Sequence, residues 1–427
     1  MCSLRHHVTV AISNTYVSYR IRSQLMPSRR AVISGAGIAG PVAAFWLSSA
    51  GWEVTVVERA QRFRPDGYPV DVRGTASEVL RRMGVYDAVS AQRYRHVPLD
   101  VLAPSGRRLY TVDFGNAFSS SGNRDVEIAR GSLAEILLQA DAGRVDYVFG
   151  DSITAVTQSG RGVDIEFARS PSRKADVLIG ADGIHSNVRA LTFGAEAGFV
   201  HHLGSYVAVW DLTSEMFPPG SGVLYSHAGR TLVLERPAGG VATRVFLTFH
   251  DPGSDIRDVH DAEQVHAVLR TAFAQDRWQT LRIVDTLPEA ANVYFDAVSQ
   301  VRMASWSRGR VAVVGDAAYA PAFLSGQGTS LAIAGAYVLA GELARHARPE
   351  TAFAAYRHRM AGYVARNQRL ALRDSAVLCR NEIQLWRRNA ILRSVPWLQR
   401  LGLMHAVQRP LRAAANDLTL STPDPRR

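Results

Sequence analysis

The spacing of hydrophobic positions in this 427-residue chain changes character along its length. Ala31–Ser34 is a short apolar run, and the glycine-rich turn Gly35–Gly40 follows it. A helical pattern then extends from Ile38 to Ala50, where Gly51 stops it. Glu53–Val57 is β-branched and predicts a second buried strand. Strand, turn, helix and strand is the order that a parallel nucleotide-binding sheet requires. Further helices are expected at Thr75–Met83, closed by Gly84, and at Ser132–Ala140 with Ser132 as N-cap. Leu99–Val101 and Leu109–Val112 flank Pro104-Ser105-Gly106 and predict a hairpin. Short strands are expected at Val145–Phe149, Ile153–Thr157, Val163–Phe167 and Asp176–Ile179.

Between about residues 200 and 300 the pattern becomes an alternation of aromatic and polar residues, in Tyr206–Leu212, Val223–His227, Thr231–Leu234 and Arg244–Phe249. One helix, Asp261–Phe273, lies among these runs. The alternation predicts a mainly antiparallel sheet inserted into the first domain. Arg310–Val314 returns to buried-strand character, and the chain is helical in pattern from Gln327 onward. The expected fold class is therefore α/β. A Rossmann-like nucleotide-binding domain is assigned to residues 30–95, 126–199 and 301–346, and an inserted substrate domain to 96–125 and 200–300. C-terminal helices over 347–412, with Trp386 and Trp397 bracing the two domains, and a tail over 413–427 complete the division. Residues 1–25 contain no Asp or Glu and no continuous apolar run, which excludes a secretory signal. A transit peptide fits their composition, but the preferred reading makes 1–29 a disordered leader or an over-long start.

Composition narrows the function. Hydrophobic residues make up 47% and charged residues 20%, an ordinary globular mixture. No apolar run approaches the roughly 18 residues needed to span a bilayer, so no integral membrane association is expected. The net charge is +11, yet Lys174 is the only lysine and the arginines are scattered, which argues against a nucleic-acid surface. Cys2 and Cys379 form no metal or redox spacing, and nothing asks for an oxidising compartment, so a cytoplasmic location is expected. His201-His202 are adjacent along a strand and point differently, which does not make a metal site.

Three segments carry candidate chemistry. In Gly35-Ala36-Gly37-Ile38-Ala39-Gly40 the first glycine permits the tight turn, the second lets backbone approach a pyrophosphate, and the third allows close helix–strand packing. The helix that follows offers free N–H groups to phosphate. Glu58 ends the second strand, where a carboxylate accepts hydrogen bonds from a ribose diol. The second segment is Asp176–Gly183, a strand delivering Asp182-Gly183, followed by Ser186 and Arg189. The third is Val311–Val314 leading into Gly315-Asp316-Ala317-Ala318, then Gly326-Gln327-Gly328-Thr329 opening a long helix. Each alone could be an ordinary turn.

Together, in this order and spacing, they resemble the single-component flavoprotein aromatic hydroxylases over about residues 30–375, and Asp66–Gly74, Glu127–Leu138 and Ala175–Ile179 look most similar to the tetracycline-inactivating monooxygenases. The resemblance implies tightly held, non-covalent FAD. Gly35, Gly37, Ile38, Ala39 and Gly40 would cradle its pyrophosphate, Glu58 its adenosine ribose and Arg130 its linker. Asp182 and Gly183 would serve both FAD and a nicotinamide donor, Gly315 and Asp316 the ribityl chain, and Gly326, Gln327, Gly328 and Thr329 the isoalloxazine ring. Arg59 and Arg73 are candidates for flavin or nicotinamide phosphates. NADPH or NADH would bind transiently, since there is no second glycine-rich turn.

The expected activity is hydroxylation of an electron-rich aromatic or polyketide-like small molecule with O2. Because the cofactor carries the chemistry, no catalytic triad and no metal are expected. The rival readings are a flavin reductase or oxidase without oxygen insertion, and a non-catalytic flavoprotein that sequesters an aromatic compound. A halogenase is disfavoured because no Trp-x-Trp stretch occurs, and a Baeyer–Villiger enzyme because there is one Rossmann turn. Tyr206, Trp210, Tyr225, His227, Phe295 and Phe323 are candidate substrate contacts, with packing of the sheet as the competing role for each. The chain departs from the family at Tyr319, where His is usual, and at Phe323, where Pro is usual. Ser330 and Gly335 stand where Asn and Asp are frequent.

Overall fold

The computed structural model describes residues 28–420 except 64–66, 95, 114–124, 142, 213–215, 241, 254–255, 257–260, 291, 373–377 and 402–412. The expected leader thus lies almost wholly outside the described residues, as do parts of the tail and of the C-terminal helical region.

Arg30–Ser34 forms the middle of a six-stranded sheet. Glu53–Glu58 and then Asp146–Phe149 pair on one side of it, and Val177–Gly180 and then Val311–Val313 on the other, all in parallel. The short strand Ser307–Arg308 closes that edge antiparallel. The inner strands are buried on both faces, which explains why they read as continuous apolar runs rather than alternations. The helices Ala39–Ser49, Gly328–Arg345 and Pro349–Ala371 pack beside this sheet and share its core. Gly328–Arg345 is buried along most of its length, so its Ala and Leu run is core rather than membrane span. Among the described residues no helix is long and apolar enough to cross a membrane.

The second large sheet has seven strands in the order Tyr294–Val301, Val200–Leu212, Thr243–His250, Arg230–Arg236, Ser221–His227, Leu99–Leu102, Arg108–Val112. It is antiparallel except where Leu99–Leu102 runs parallel to Ser221–His227. The expected hairpin at 99–112 is therefore the edge of the same sheet as the strands beyond residue 200. A three-stranded antiparallel sheet (Ile153–Ser159, Gly162–Phe167, Arg173–Ala175) and the pair Pro69–Val72 with Val126–Ala129 complete the β-structure.

Two local expectations need correction. Ser132 is not an N-cap, because the strand Val126–Ala129 runs directly into the helix Arg130–Gln139, and the Arg130 N–H is held by the Tyr68 carbonyl. Trp386 and Trp397 do not brace the domains: they lie 71% and 61% exposed on the helix Glu382–Arg400. Its buried residues are instead Leu385, Arg388, Leu392 and Val395.

Candidate active site

Three turns meet at the carboxyl ends of the parallel strands. Gly35 takes a φ of 102°. A Cβ there would lie 2.5 Å from the Ala181 carbonyl oxygen, so only glycine lets the first turn seat against Gly180-Ala181-Asp182. A Cβ on Gly40 would collide with the Gly35 carbonyl, which is what closes the helix onto its strand. At Gly37 the space beyond the backbone holds one neighbour, the Arg130 guanidinium, 3.3 Å from where a Cβ would be. The helix Ala39–Ser49 has no side-chain cap at Ile38 and no acid in its first turn, so its positive end faces the turn unneutralised. Glu58 accepts hydrogen bonds from the backbone N–H of Ala36 and of Ala60, both at 2.9 Å, and so ties the turn to the end of the second strand. Arg59 beside it is exposed.

Asp182 is an organiser of its own turn. Its carboxylate accepts from Ser186 Oγ at 2.5 Å, Val188 N at 3.0 Å and Ser34 Oγ at 3.3 Å. Burial pushes its pKa up, and these donors oppose the rise. Ser186 then caps the helix Asn187–Phe193 through Arg189 N. The fully buried Arg189 donates to Ile184 O, to Glu196 and to Ala317 O, bridging the second turn to the third. Gly183, with a φ of 82°, lies at the open side of this turn with nothing within 4 Å of a Cβ position.

In the third turn Gly315 again has a positive φ, 66°, and it delivers Asp316 beside Gly328 at the start of the long helix. The Asp316 carboxylate accepts no hydrogen bond among the described residues. It has free surface, yet protein surrounds it, and that burial pushes its pKa up; Arg130 opposes the rise and Asp296 adds to it. Gly326 adopts the left-handed conformation, and its backbone is pressed against Asp71, 2.8 Å from where a Cβ would sit. Gln327 is fully buried with neither side-chain polar atom partnered. Thr329 follows in the first turn of the helix, half-buried. Arg73 is drawn into acids rather than left open: it pairs with Asp71 at 2.8 Å, with Asp125 and Glu127 nearby. Burial raises Asp71 to about 6 in spite of Arg73.

These features fit FAD. A cradle that a Cβ would fill, an uncapped helix end beside Arg130, the exposed Asp316 carboxylate and the buried, unpartnered Gln327 match a pyrophosphate, a polyol and a heterocyclic ring with donors and acceptors. The chain matches the family model described as FAD binding domain over residues 29–370. It is 32% identical to a flavin-dependent monooxygenase of an unknown prokaryotic organism over 342 residues, covering 80% of this chain and 88% of the relative. The chain belongs to this family of FAD-dependent monooxygenases. An uncharacterised protein of Mycobacterium tuberculosis is 38% identical over 340 residues, covering 79% of the monooxygenase and 91% of that relative. The crystal structure of the tetracycline destructase Tet(55) superposes with a TM-score of 0.78 at 29% identity, covering 93% of the monooxygenase and 100% of that chain.

Facing the third turn, one side of the seven-stranded sheet carries a cluster of partly exposed aromatic rings that would wall a substrate chamber in the monooxygenase. Tyr68 packs at a tilt against Tyr294 at 4.6 Å and against Phe323 at 5.1 Å between ring centroids. Phe323 also meets Phe246 at 5.8 Å and Tyr294 at 5.7 Å. Val207, Val209 and Val298 form the apolar floor from which these rings rise. Tyr294 donates to Asp296 at 3.1 Å. Burial pushes the Tyr68 and Tyr294 phenols above their usual range, so both stay protonated. The loop above the chamber is strained at Ala322, the one non-glycine residue with positive φ (89°) among those described.

The sequence-derived substrate candidates divide sharply. Phe323 lines the chamber, whereas Tyr206, Trp210 and Tyr225 are fully buried on the opposite face of the sheet, packed under the helix Ala262–Ala272. Trp210 Nε1 donates to Thr286, and Tyr225 shares a hydrogen bond with His227 Nε2 at 2.7 Å, so His227 belongs to that side too. Phe295 stacks on Tyr206 there, while its neighbour Tyr294 points into the chamber. Tyr68, Phe246 and Tyr294 are the residues that sequence reasoning missed. Strand parity was the available signal: where Tyr206 and Trp210 face the core, Val207 and Val209 face away.

The family departures also find their cause. Tyr319 is buried, packs at a tilt against Trp306 at 4.8 Å and accepts from the Tyr356 hydroxyl at 3.0 Å. Its own hydroxyl occupies the space that a Cβ of residue 335 would need, so Gly335 is what admits the larger ring. Ser330 donates to Asp71 O and accepts from Arg73 N, pinning that segment to the long helix. No group of three His, Cys, Asp or Glu able to hold a metal occurs among the described residues.

Proposed function

We propose that this monooxygenase hydroxylates a planar, electron-rich aromatic or polyketide-like small molecule seated among Tyr68, Phe246, Tyr294 and Phe323, at the expense of O2 and NADPH or NADH. The observation that carries the reading is the juxtaposition of this ring-lined chamber with the Asp316–Gly328 turn. Bound FAD supplies the redox chemistry, taking electrons from the nicotinamide and activating oxygen. The chain's own residues hold and orient. Gly35, Gly37, Gly40 and Arg130 bind the pyrophosphate, Glu58 the ribose, Asp316 the ribityl hydroxyls, and Gln327 with the helix end the ring. The aromatic walls exclude water and fix the substrate plane, which keeps its reacting carbon close and oriented. Tyr68, held protonated, donates a hydrogen bond to a substrate oxygen, while the single Tyr294 hydroxyl proton stays directed at Asp296. The name of the tetracycline destructase Tet(55) supports a fused polycyclic phenol as the substrate class.

The test is NAD(P)H oxidation by the FAD-loaded protein against simple phenols, aromatic polyketides and tetracyclines, with product masses recorded. Substrate-stimulated oxidation with a mass gain of one oxygen atom is expected. Oxidation without oxygen in any product would replace hydroxylation by a reductase reading. Protein that retains FAD while no compound stimulates oxidation would favour sequestration.

A further inference from the structure

Away from the chamber, the helix Glu382–Arg400 displays a second organised surface. Trp386, Trp397 and Leu401 follow Ile383 at spacings of three, fourteen and eighteen, which places all four on one side of the helix. Ile383 and Trp386 are 71% exposed, and Ile391 broadens the stripe. The opposite side is seated firmly. Leu392 packs with Val97, Leu99, Val101, Val112 and Leu224; Arg388 donates to Ser226 at 3.0 Å, and Asn389 accepts from the Tyr110 hydroxyl at 3.1 Å. The apolar stripe is therefore held outward, away from the body of the protein. Leu224 also lies on the same face of the sheet as Phe246 and Val209, so the helix covers the edge of the face that lines the chamber.

Charge flanks the stripe on both sides. Arg380 and Arg387 border one edge and Arg393 and Arg400 the other, all four exposed. From Cys379 to Arg412 the sequence carries seven arginines and one acid, Glu382. Exposed large apolar side chains gathered on one side of a helix mark an interaction site. Indole rings with a polar edge, bordered by long cationic side chains, suit the boundary between acyl chains and headgroups. A second copy of the chain suits it poorly, since a two-fold pairing of this face would set arginine flanks against arginine flanks.

We propose that this helix docks the monooxygenase on the surface of an anionic lipid bilayer, with Ile383, Trp386, Trp397 and Leu401 at acyl depth and the arginines on headgroup phosphates. The enzyme is thereby peripheral. Its chamber-bearing face is turned toward the phase into which flat apolar molecules partition.

The experiment is co-sedimentation of the FAD-loaded full-length protein with vesicles of phosphatidylcholine alone or mixed with phosphatidylglycerol. Binding to the mixed vesicles is expected, with a loss as salt rises. The Trp386→Ser, Trp397→Ser double variant should bind about tenfold more weakly, and Arg387→Gln, Arg393→Gln should lose the preference for phosphatidylglycerol. Flavin absorbance and far-ultraviolet circular dichroism of each variant report that the fold is intact. No binding by the parent protein, or equal binding by the tryptophan variant, overturns the proposal. So does a concentration-dependent dimer that the tryptophan variant abolishes, because the stripe would then be a subunit interface. None of these readouts uses turnover, so they stand apart from the substrate assay.

Discussion

The two faces of the seven-stranded sheet are built from the same strands and serve opposite ends. On one, Tyr206, Trp210, Tyr225 and Phe249 interlock with the helix Ala262–Ala272 until no free surface remains. On the other, valines floor a chamber whose rings touch one another and remain partly exposed. Aromatic residues populate both. Size alone therefore does not mark a binding residue; incomplete packing does, because a ring that lacks protein neighbours is available to a ligand.

The contrast can be broken by truncation on each face. Trp210→Ala should lower stability by about 3–5 kcal/mol, the usual cost of an aromatic cavity, while FAD content per folded molecule stays constant. Denaturant unfolding checks this, and an unchanged midpoint would mean the core face is not core. Gly335→Ala, in the parallel-sheet region, should cost about 1–3 kcal/mol by forcing a methyl group against the Tyr319 hydroxyl. Adding Tyr319→Phe should recover part of the loss, seen as a coupling energy in a double-mutant cycle. Phe323→Ala should leave the unfolding midpoint nearly unmoved and raise KM about tenfold, about 1.4 kcal/mol of binding. A stability loss as large as that of Trp210→Ala would erase the distinction between the faces.

The smallest effect concerns the seam between the regions. His96 sits between Glu127, 2.8 Å away beside the Asp71–Arg73 pair, and Glu235 of the seven-stranded sheet, 3.2 Å away. Although desolvation opposes it, these two carboxylates raise the His96 pKa to about 10. Folded protein therefore keeps a proton that the unfolded chain releases above about 6.5. The stabilisation is complete below that pH and fades as pH rises toward 10. His96→Gln should cost about 1 kcal/mol at pH 6, and the gap between variant and parent melting temperatures should close by pH 10. A gap independent of pH would mean that His96 acts by packing alone.

Much of the fold was legible because its signals are local. The Gly35–Gly40 turn, the β-branched strand after it and the aspartates at strand ends each combine a residue type with a backbone demand, and the family resemblance followed from their order. The chamber was not legible. Whether Tyr294 or Phe295 faces it depends on strand register and on which face a helix covers, and both are set by contacts distant in sequence. The irregular pairing between His202 and Tyr206 further obscures parity for anyone counting along the strand. The role of Gly335 was equally hidden, since it exists only relative to Tyr319.

The strand order has a consequence for how the protein is made. Arg30–Ser34 leaves the ribosome early, but one of its neighbours, Val177–Gly180, is far downstream, and Val311–Val313 must still dock beside that. Leu99–Leu102 likewise waits for Ser221–His227. The seven-stranded sheet is complete in sequence at Val301, whereas the six-stranded sheet still awaits Ser307–Arg308 and Val311–Val313, so the sheet that begins first finishes last. Folding is committed late and dominated by non-local closure. For the same reason a single cut in a surface loop would leave two fragments still interleaved, whereas no separate expression of either sheet should yield a stable piece.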